Sequence, residues 1–229
     1  MKAQKILPVV FALALSSTSA FSLTLEFDFG NAATLPSGNW NILTTSSGPA
    51  TNAIDFVTGL GTGVSLTPSI PGWSGSTVLG DGFATTGWVA SEASGDCFFG
   101  YGNGSFVFGG LTPGANYSLE WVASTTDFMT WAGSGYQANG QNASHNQNNT
   151  LTDIALWNPK TAQSNKDWMV WDSVTADGTG KITVTVTDGG FGSMSLANAA
   201  RLTSVPEPST YVMIGAGALG LLATRRRRA

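Results

Sequence analysis

Aromatic and amide side chains are concentrated in the middle of this 229-residue chain, and together they could bind a carbohydrate. An aromatic ring stacks on the apolar face of a pyranose, while asparagine and glutamine hydrogen-bond its hydroxyl groups. The polar run 137–150 is predicted to be an exposed loop that supplies the amides. We predict that the tyrosine and tryptophans of this region form a ligand platform: Trp131, Tyr136, Trp157, Trp168 and Trp171. Tryptophans often pack in a core instead, and Trp121, in phase with Leu119, is assigned there.

Catalytic chemistry has little support in the sequence. The chain has one histidine, His145, and one cysteine, Cys97, and it lacks the motifs of serine hydrolases, zinc proteases and nucleotide-binding enzymes. Glycoside hydrolysis needs two facing carboxylates about 5–10 Å apart. The glutamates at 26, 92 and 120 fall in or near predicted strands with no spacing that pairs them. We therefore predict a protein without catalytic residues, and a secreted hydrolase with an unrecognised carboxylate pair is the least favoured alternative.

Calcium is the one metal that the loop residues could hold. Calcium sites are built from six to eight oxygens, which loop aspartates and asparagines supply. The loop aspartates are scattered without the spacing of a calcium-binding loop: Asp127, Asp153, Asp172, Asp177 and Asp188. We predict no cofactor and assign no metal ligands, and a structural calcium ion stays open as an alternative.

The last twenty-five residues combine a stiff turn, a short apolar segment and a basic end. Pro206 and Pro208 flank Glu207, and the two prolines hold this peptide extended and accessible to a receptor or protease. The apolar segment 211–224 is fourteen residues long, shorter than the roughly 20 that span a bilayer as a helix. Four arginines follow it and should stay on the cytoplasmic side of a membrane: Arg225, Arg226, Arg227 and Arg228.

The order of these three parts resembles the PEP-CTERM sorting signal of Gram-negative bacteria, a tail also described as the ice-binding-protein C-terminal type. The resemblance implies that an exosortase-type membrane protease recognises Pro206, Glu207 and Pro208 after the inner membrane has transiently anchored the precursor. It implies no ice-binding chemistry. A plain single-pass tail anchor is the alternative interpretation, and both place the preceding domain outside the cytoplasm.

The N-terminus has the organisation of a signal peptide. Lys2 and Lys5 precede the apolar stretch 6–15, and small residues follow it. Signal peptidase could cleave after Ala20 or after Ser22, and we favour Ser22. The prediction is therefore a helical signal peptide over residues 1–22, one domain over 23–204 and a sorting signal with a short apolar helix over 205–229.

The charge of the mature domain differs from that of the whole chain. Six of the ten basic residues lie in the two terminal signals, so residues 23–204 hold four basic and thirteen acidic residues, a net charge of −9. This acidic balance argues against nucleic acid as a partner and against binding to anionic lipid through charge. The single cysteine excludes an internal disulfide, and a buried thiol is the favoured interpretation of Cys97.

Short alternating segments separated by turn residues predict an all-β fold. Strands are predicted over 23–29, 106–108, 117–124, 181–187 and 195–202. Within 181–187 the residues Ile182, Val184 and Val186 should point inward and the threonines outward. The segments 111–116 and 177–180 are predicted turns, and no stretch predicts an amphipathic helix. We expect a single antiparallel β-sandwich.

Three longer segments resemble parts of galactose-binding-like jelly rolls. The sequence Gly-Leu-Thr-Pro-Gly-Ala-Asn-Tyr-Ser-Leu at 110–119 looks like their central hairpin, and 177–186 with 196–202 looks like their last two strands. The resemblance implies a jelly-roll sandwich and implies no ligand.

Three functions compete on these observations. The favoured one is a non-catalytic protein of the cell envelope or extracellular matrix, exported and then sorted by its tail. The PEP-CTERM resemblance implies association with exopolysaccharide and biofilm. The second is a carbohydrate-binding module that uses the central aromatic residues, and the third is the secreted hydrolase.

Replacing Pro206, Glu207 and Pro208 together by alanine is expected to block exosortase-dependent processing and to leave export intact, because the stiff recognition peptide is lost while the signal peptide is unchanged. Immunoblotting of the precursor and of the processed chain in isolated membranes measures both steps. Unchanged C-terminal processing in this variant would contradict the sorting assignment.

Overall fold

The computed structural model describes most of the predicted mature domain and little of either terminal signal. The described residues are 22–30, 36–44, 48–76, 88–89, 91–124, 135–146, 166–187 and 195–206. The helices predicted for the signal peptide and for the apolar segment 211–224 lie outside these ranges. No helix within them is long and apolar enough to cross a membrane.

The described residues form fourteen strands and one short helix. The strands of the first half are β1 (Thr24–Gly30), β2 (Asn41–Thr44), β3 (Ser65–Ser69), β4 (Ser74–Ser76), β5 (Cys97–Gly100), β6 (Gly104–Gly109) and β7 (Asn116–Ser124). Those of the second half are β8 (Gly135–Ala138), β9 (Gln141–Asn142), β10 (His145–Asn146), β11 (Lys166–Thr175), β12 (Ile182–Thr187), β13 (Ser195–Ala197) and β14 (Ala199–Ser204). The helix, α1, spans Ser91–Gly95.

The strands form a β-sandwich, as the sequence predicts. One sheet has the order β10-β11-β7-β14-β1-β2, and the second has the order β3-β6-β12-β8-β9. A small third sheet, β13-β5-β4, completes the core. The strands pair antiparallel, except that β2 pairs with β1 in parallel.

Residue alternation explains which face of each strand is buried. In β12 the side chains of Ile182, Val184 and Val186 are fully buried while the threonines between them are partly or fully exposed, as predicted. In β1 both faces are buried, so Leu25, Phe27 and Phe29 enter the core while Glu26 and Asp28 occupy the opposite face of the sheet. The candidate site depends on this arrangement of β1, which places the carboxylates of Glu26 and Asp28 on a covered face of the sheet.

Aromatic rings fill the space between the two large sheets. Phe29 is the centre of this packing, with ring centroids 5.7 Å from Phe98, 5.2 Å from Phe106 and 5.1 Å from Trp121. Phe106 and Trp121 are 4.8 Å apart in an edge-to-face arrangement, which is a favourable geometry for aromatic pairs. The core position predicted for Trp121 is confirmed, because its side chain is fully buried.

The last predicted strand is two strands that belong to different sheets. The prediction of one strand over 195–202 is wrong at Asn198, where the chain passes from β13 to β14. The Asn198 carbonyl accepts the Phe29 amide, its own amide donates to Val122, and its side chain donates to the Asp96 carbonyl at 2.8 Å. These three bonds satisfy the backbone where the strand leaves one sheet for the other.

Part of the polar run 137–150 is a hairpin rather than the loop predicted for it. Asn139 and Gly140 both have positive φ, 47° and 75°, and they join β8 to β9. This is the two-residue turn for which an Asn-Gly pair is the strongest sequence signal. The Asn139 side chain also accepts the Thr183 amide at 2.7 Å, so the turn is fixed to β12.

The prediction also lacked strands β2 to β5, β10 and β11 and the helix α1. The helix α1 is only five residues long, too short to give a periodic pattern. Strand β11 is buried on both faces, with Met169 and Trp171 inward and Trp168 and Val170 outward, so it lacks the alternation that marks a half-buried strand.

Cys97 is buried, as predicted. Desolvation by burial, with a smaller contribution from the charge of Asp96, raises the pKa of its thiol to about 12. Because the thiolate is the reactive form, we expect Cys97 to be unreactive at neutral pH.

Candidate functional site

The outer face of the six-stranded sheet, which points away from the core, holds a polar cluster built by strand register. Arg201 of β14 lies directly opposite Glu26 of β1 on one side and Glu120 of β7 on the other. Trp168 of β11 reaches Glu120 from the next strand, and Trp88 covers the group from the segment before α1. We call these five residues the outer cluster: Glu26, Trp88, Glu120, Trp168 and Arg201.

Glu120 is the centre of the outer cluster because both of its carboxylate oxygens accept two hydrogen bonds. One oxygen accepts the indole N–H of Trp88 at 2.6 Å and that of Trp168 at 2.8 Å. The other accepts Nε of Arg201 at 3.0 Å and also its Nη2. Arg201 therefore binds through two nitrogens, and charge-assisted bonds of this kind are among the strongest that a carboxylate accepts.

A layer of aromatic rings packs over this salt bridge. The guanidinium carbon of Arg201 lies 4.8 Å from the Trp88 ring, within range of a cation–π contact. Trp88 stacks on Trp40 at 5.9 Å, and Phe56 meets Trp40 edge-on. Only 27% of the Arg201 side chain is exposed, so the ion pair lies largely out of water.

Glu26 is the least well paired member of the outer cluster. Its Oε1 is 4.0 Å from the Arg201 guanidinium, and its Oε2 is buried without a hydrogen-bond partner. The pKa of Glu26 is raised to about 7, mainly by desolvation. The positive charge of Arg201 opposes this shift, and the negative charge of Glu120 adds to it. Glu26 therefore carries a proton for part of the time at neutral pH.

A second acidic pair lies next to the outer cluster on the same face. Asp28 and Asp96 are both buried, and their carboxyl groups hydrogen-bond each other. Desolvation, followed by the charge of Asp96 and the hydrogen bond to it, raises the pKa of Asp28 to about 9. Gly30 makes room for this contact, because a Cβ atom there would lie 2.2 Å from Cγ of Asp96. The pair thus shares one proton at neutral pH.

Three of the predicted platform residues are buried, and this burial corrects the sequence prediction. Tyr136 and Trp171 face the core and donate hydrogen bonds to the carbonyls of Leu196 and Gln141. Trp168 belongs to the outer cluster, and only 8% of it is exposed. Tyr136 and Trp171 lie in strands that pack against the opposite sheet, so their rings fill the core. Trp131 and Trp157 lie outside the described residues.

Two of the described aspartates, Asp55 and Asp177, stabilise turns. Asp55 accepts the amides of Thr24 and Thr58, and Asp177 accepts those of Thr179 and Lys181. Burial raises the pKa of Asp55, but its hydrogen bonds outweigh this and lower that pKa overall. The Thr179 hydroxyl, followed by the Thr179 amide, lowers the pKa of Asp177. Across the part of the chain that the structure describes, no three His, Cys, Asp or Glu residues are grouped so that they could hold a metal ion.

The sequence contained a signal for the outer cluster that the prediction did not use. Arg201 is the single arginine of residues 23–204. Glu120 precedes the core residue Trp121 in an alternating strand, which places its side chain on the opposite face. The position of Asp96 carried no comparable signal, because the short connection around α1 has no periodicity.

The sorting signal begins where the sandwich ends. Ser204 closes β14 with a backbone hydrogen bond to Leu23, and the Val205 amide donates to the Asn116 carbonyl at 3.0 Å. Pro206 is exposed. Glu207, Pro208 and the arginines at 225–228 lie outside the described residues.

The fold and the tail define an exported all-β protein. A family model described as the PEP-CTERM protein-sorting motif matches residues 204–228. The chain therefore carries a PEP-CTERM signal, which implies transient anchoring at the membrane and processing by an exosortase, a membrane protease. This confirms the sorting assignment that was made from the tail sequence.

The similar solved structures are extracellular or bacterial β-rich proteins of low identity. They include the YxiM protein of Bacillus subtilis, at 14% identity and a TM-score of 0.42, and the ANX2 ectodomain of Arabidopsis thaliana, at 8% and 0.44. The plant receptor-like kinase FER matches at 11% identity and a TM-score of 0.42. Each match covers 80% of this chain, which spans only 40–42% of the length of those chains. No curated protein matches the sequence.

Glu120→Gln is expected to lower the free energy of unfolding by about 3 kcal/mol, the scale for breaking a buried ion pair. In one orientation the amide NH2 of the new glutamine faces the Arg201 guanidinium, and in the other it faces the two indole N–H donors. Either way, donors face donors. Urea unfolding of the purified mature domain measures the change. Gln141→Glu, which exchanges the same two groups at an exposed position of β9, is the control and should shift stability by less than about 0.5 kcal/mol. Equal stability of the two variants would show that Glu120 does not organise the outer face.

Raising the pH is expected to destabilise the domain, and Asp28→Asn is expected to remove the effect above pH 7. A raised pKa means that the folded state holds a proton that the unfolded chain has lost. The stabilisation that each such proton contributes is complete below about pH 4, where the unfolded chain is protonated as well. This stabilisation is lost as the pH rises through about 7 for Glu26 and about 9 for Asp28. The amide introduced by Asp28→Asn keeps a donor toward Asp96 at every pH.

Urea unfolding at steps from pH 5 to pH 9 measures this slope, which is at most about 1.4 kcal/mol per pH unit for one proton. The slope between pH 7 and pH 9 should flatten in Asp28→Asn. Glu26→Gln is the control, and it should flatten the slope only below pH 7. Identical slopes above pH 7 in the wild type and in Asp28→Asn would contradict the shared proton.

Proposed function

We propose that this exported protein is a non-catalytic component of the cell envelope or of the exopolysaccharide-associated extracellular matrix. The observation that carries the proposal is the sorting motif that directly follows β14, a strand paired on both sides. Processing of such a tail releases a complete folded domain without removing any strand from its sheet. The domain itself is then the functional product of sorting.

The described carboxylates support a role without catalysis. General acid–base chemistry needs a group within reach of a substrate and a poised pKa. Glu26 and Asp28 have raised pKa values, but both are buried beneath the layer that contains α1 and the aromatic rings. Glu120 is nearer the surface, but four hydrogen bonds occupy its oxygens. Each group is engaged in holding the sheet face together.

Direct carbohydrate binding is the second candidate function, and one observation favours it. Trp88 is only half-buried and lies beside the partly exposed Arg201, so an aromatic edge and hydrogen-bond donors reach the surface together. Trp131 and Trp157 remain proposed platform residues from the sequence. This candidate concerns how the domain contacts a matrix, whereas the first concerns where the protein resides.

Fractionation of the producing cells tests the residence of the protein. In the parent strain the processed chain should co-sediment with the envelope and polysaccharide fraction. In a strain without the secreted polysaccharide it should appear in the medium, and in a strain without the exosortase the unprocessed chain should stay in the membrane. Processed chain that is free in the medium of the parent strain would contradict the proposal.

A glycan array probed with the purified mature chain separates the two candidates. Saturable binding to one glycan class that is lost in Trp88→Ala supports direct carbohydrate recognition. Absence of binding across the array would leave matrix residence dependent on a protein partner.

A further inference from the structure

The end of the sandwich from which the sorting tail leaves also exposes apolar side chains. Val57 and Leu60 are each 69% exposed, and Ile54 and Val205 are exposed as well. Large apolar side chains that share one exposed region mark contact surfaces more often than isolated ones do. We call the end that holds these four residues the tail end of the sandwich.

Hydrogen bonds place the Val57–Leu60 turn beside the tail. The Asp55 carboxylate accepts the Thr24 amide at 2.9 Å, and the Phe56 amide donates to the Thr24 carbonyl at 2.7 Å. Thr24 is the register partner of Thr203, one residue before β14 ends. The turn is therefore separated from the last residues of the sheet by a single strand.

The turn presents its apolar side chains from a fixed backbone. Asp55 accepts both the amide and the hydroxyl of Thr58, at 2.7 and 2.8 Å, and the Gly59 amide donates to the Asp55 carbonyl. Gly59 has a φ of 70°, a conformation that disfavours a side chain. These contacts hold Val57 and Leu60 outward, although burying them would be favourable.

The length of the chain that follows limits where the membrane lies. Four residues separate Pro206 from the apolar segment that begins at Tyr211. Even a fully extended chain would span only about 18 Å between those two residues. While the precursor is anchored by that segment, the tail end must therefore stay close to the bilayer surface.

We propose that the Val57–Leu60 turn docks on the bilayer that anchors the precursor, so that the domain stands on its tail end until the tail is cut. The tether supplies a high local concentration, so two side chains suffice for a contact that would be weak in solution. Apolar side chains that enter the headgroup region are a recognised mode of peripheral binding. The contact also keeps the sorting peptide at the depth at which a membrane protease acts.

Single-cysteine labelling of the full-length precursor in vesicles tests the docking. The vesicles contain phosphatidylethanolamine and phosphatidylglycerol, and Leu60→Cys carries an environment-sensitive fluorophore. Cys97 does not interfere, because it is buried. Tyr101→Cys is the matched control, because Tyr101 is 65% exposed. Tyr101 lies just before the first residue of β6, and the length of that strand, about 17 Å, separates this end from Gly109.

The label at position 60 should shift to shorter wavelength and be quenched by lipids with quenchers in their acyl chains, whereas the label at position 101 should do neither. The labelled chain ending at Pro206, in buffer without vesicles, gives the aqueous reference for each site. Equal emission and equal lack of quenching at the two sites would overturn the proposal, and so would a label at position 60 that matches its aqueous reference.

Discussion

The position of β14 in the middle of the six-stranded sheet is the constraint on which the rest of the structure depends. This strand pairs with β1 on one side and with β7 on the other. Its inward residues Ala200 and Leu202 enter the core, and its outward Arg201 organises the outer cluster. The match to the sorting motif begins at its last residue, Ser204. This six-residue strand therefore contributes to the core and to the polar outer face, and it leads into the sorting signal.

The outer face shows how an acidic domain accommodates buried carboxylates. Glu120 is neutralised by Arg201 and saturated by two indole donors, while Asp28 and Asp96 hold a proton between them. Burying one unpaired charge is costly, and pairing or protonation removes most of that cost. These pairings and shared protons hold the domain together on this face.

Several features that depend only on neighbouring residues were predicted correctly from the sequence. The alternation of Ile182, Val184 and Val186 and the turn residues at 177–180 predicted a strand and its preceding turn correctly, and the order of motifs in the tail predicted the sorting signal. The break at Asn198 was not predictable, because passing between sheets is a property of the tertiary fold. The exposure predicted for Tyr136, Trp168 and Trp171 was wrong for a related reason. Composition predicted a polar surface there, whereas strand register directs each ring inward or beneath a covering layer.

The most direct test of the account is the mass of the mature C-terminus, measured on the protein isolated from producing cells with and without the exosortase. We expect the processed chain to retain Ser204, so that β14 stays whole, and to lack the arginines at 225–228, while cells without the exosortase yield the full C-terminus. The same C-terminal mass in both strains would contradict the assignment of the tail as a sorting signal.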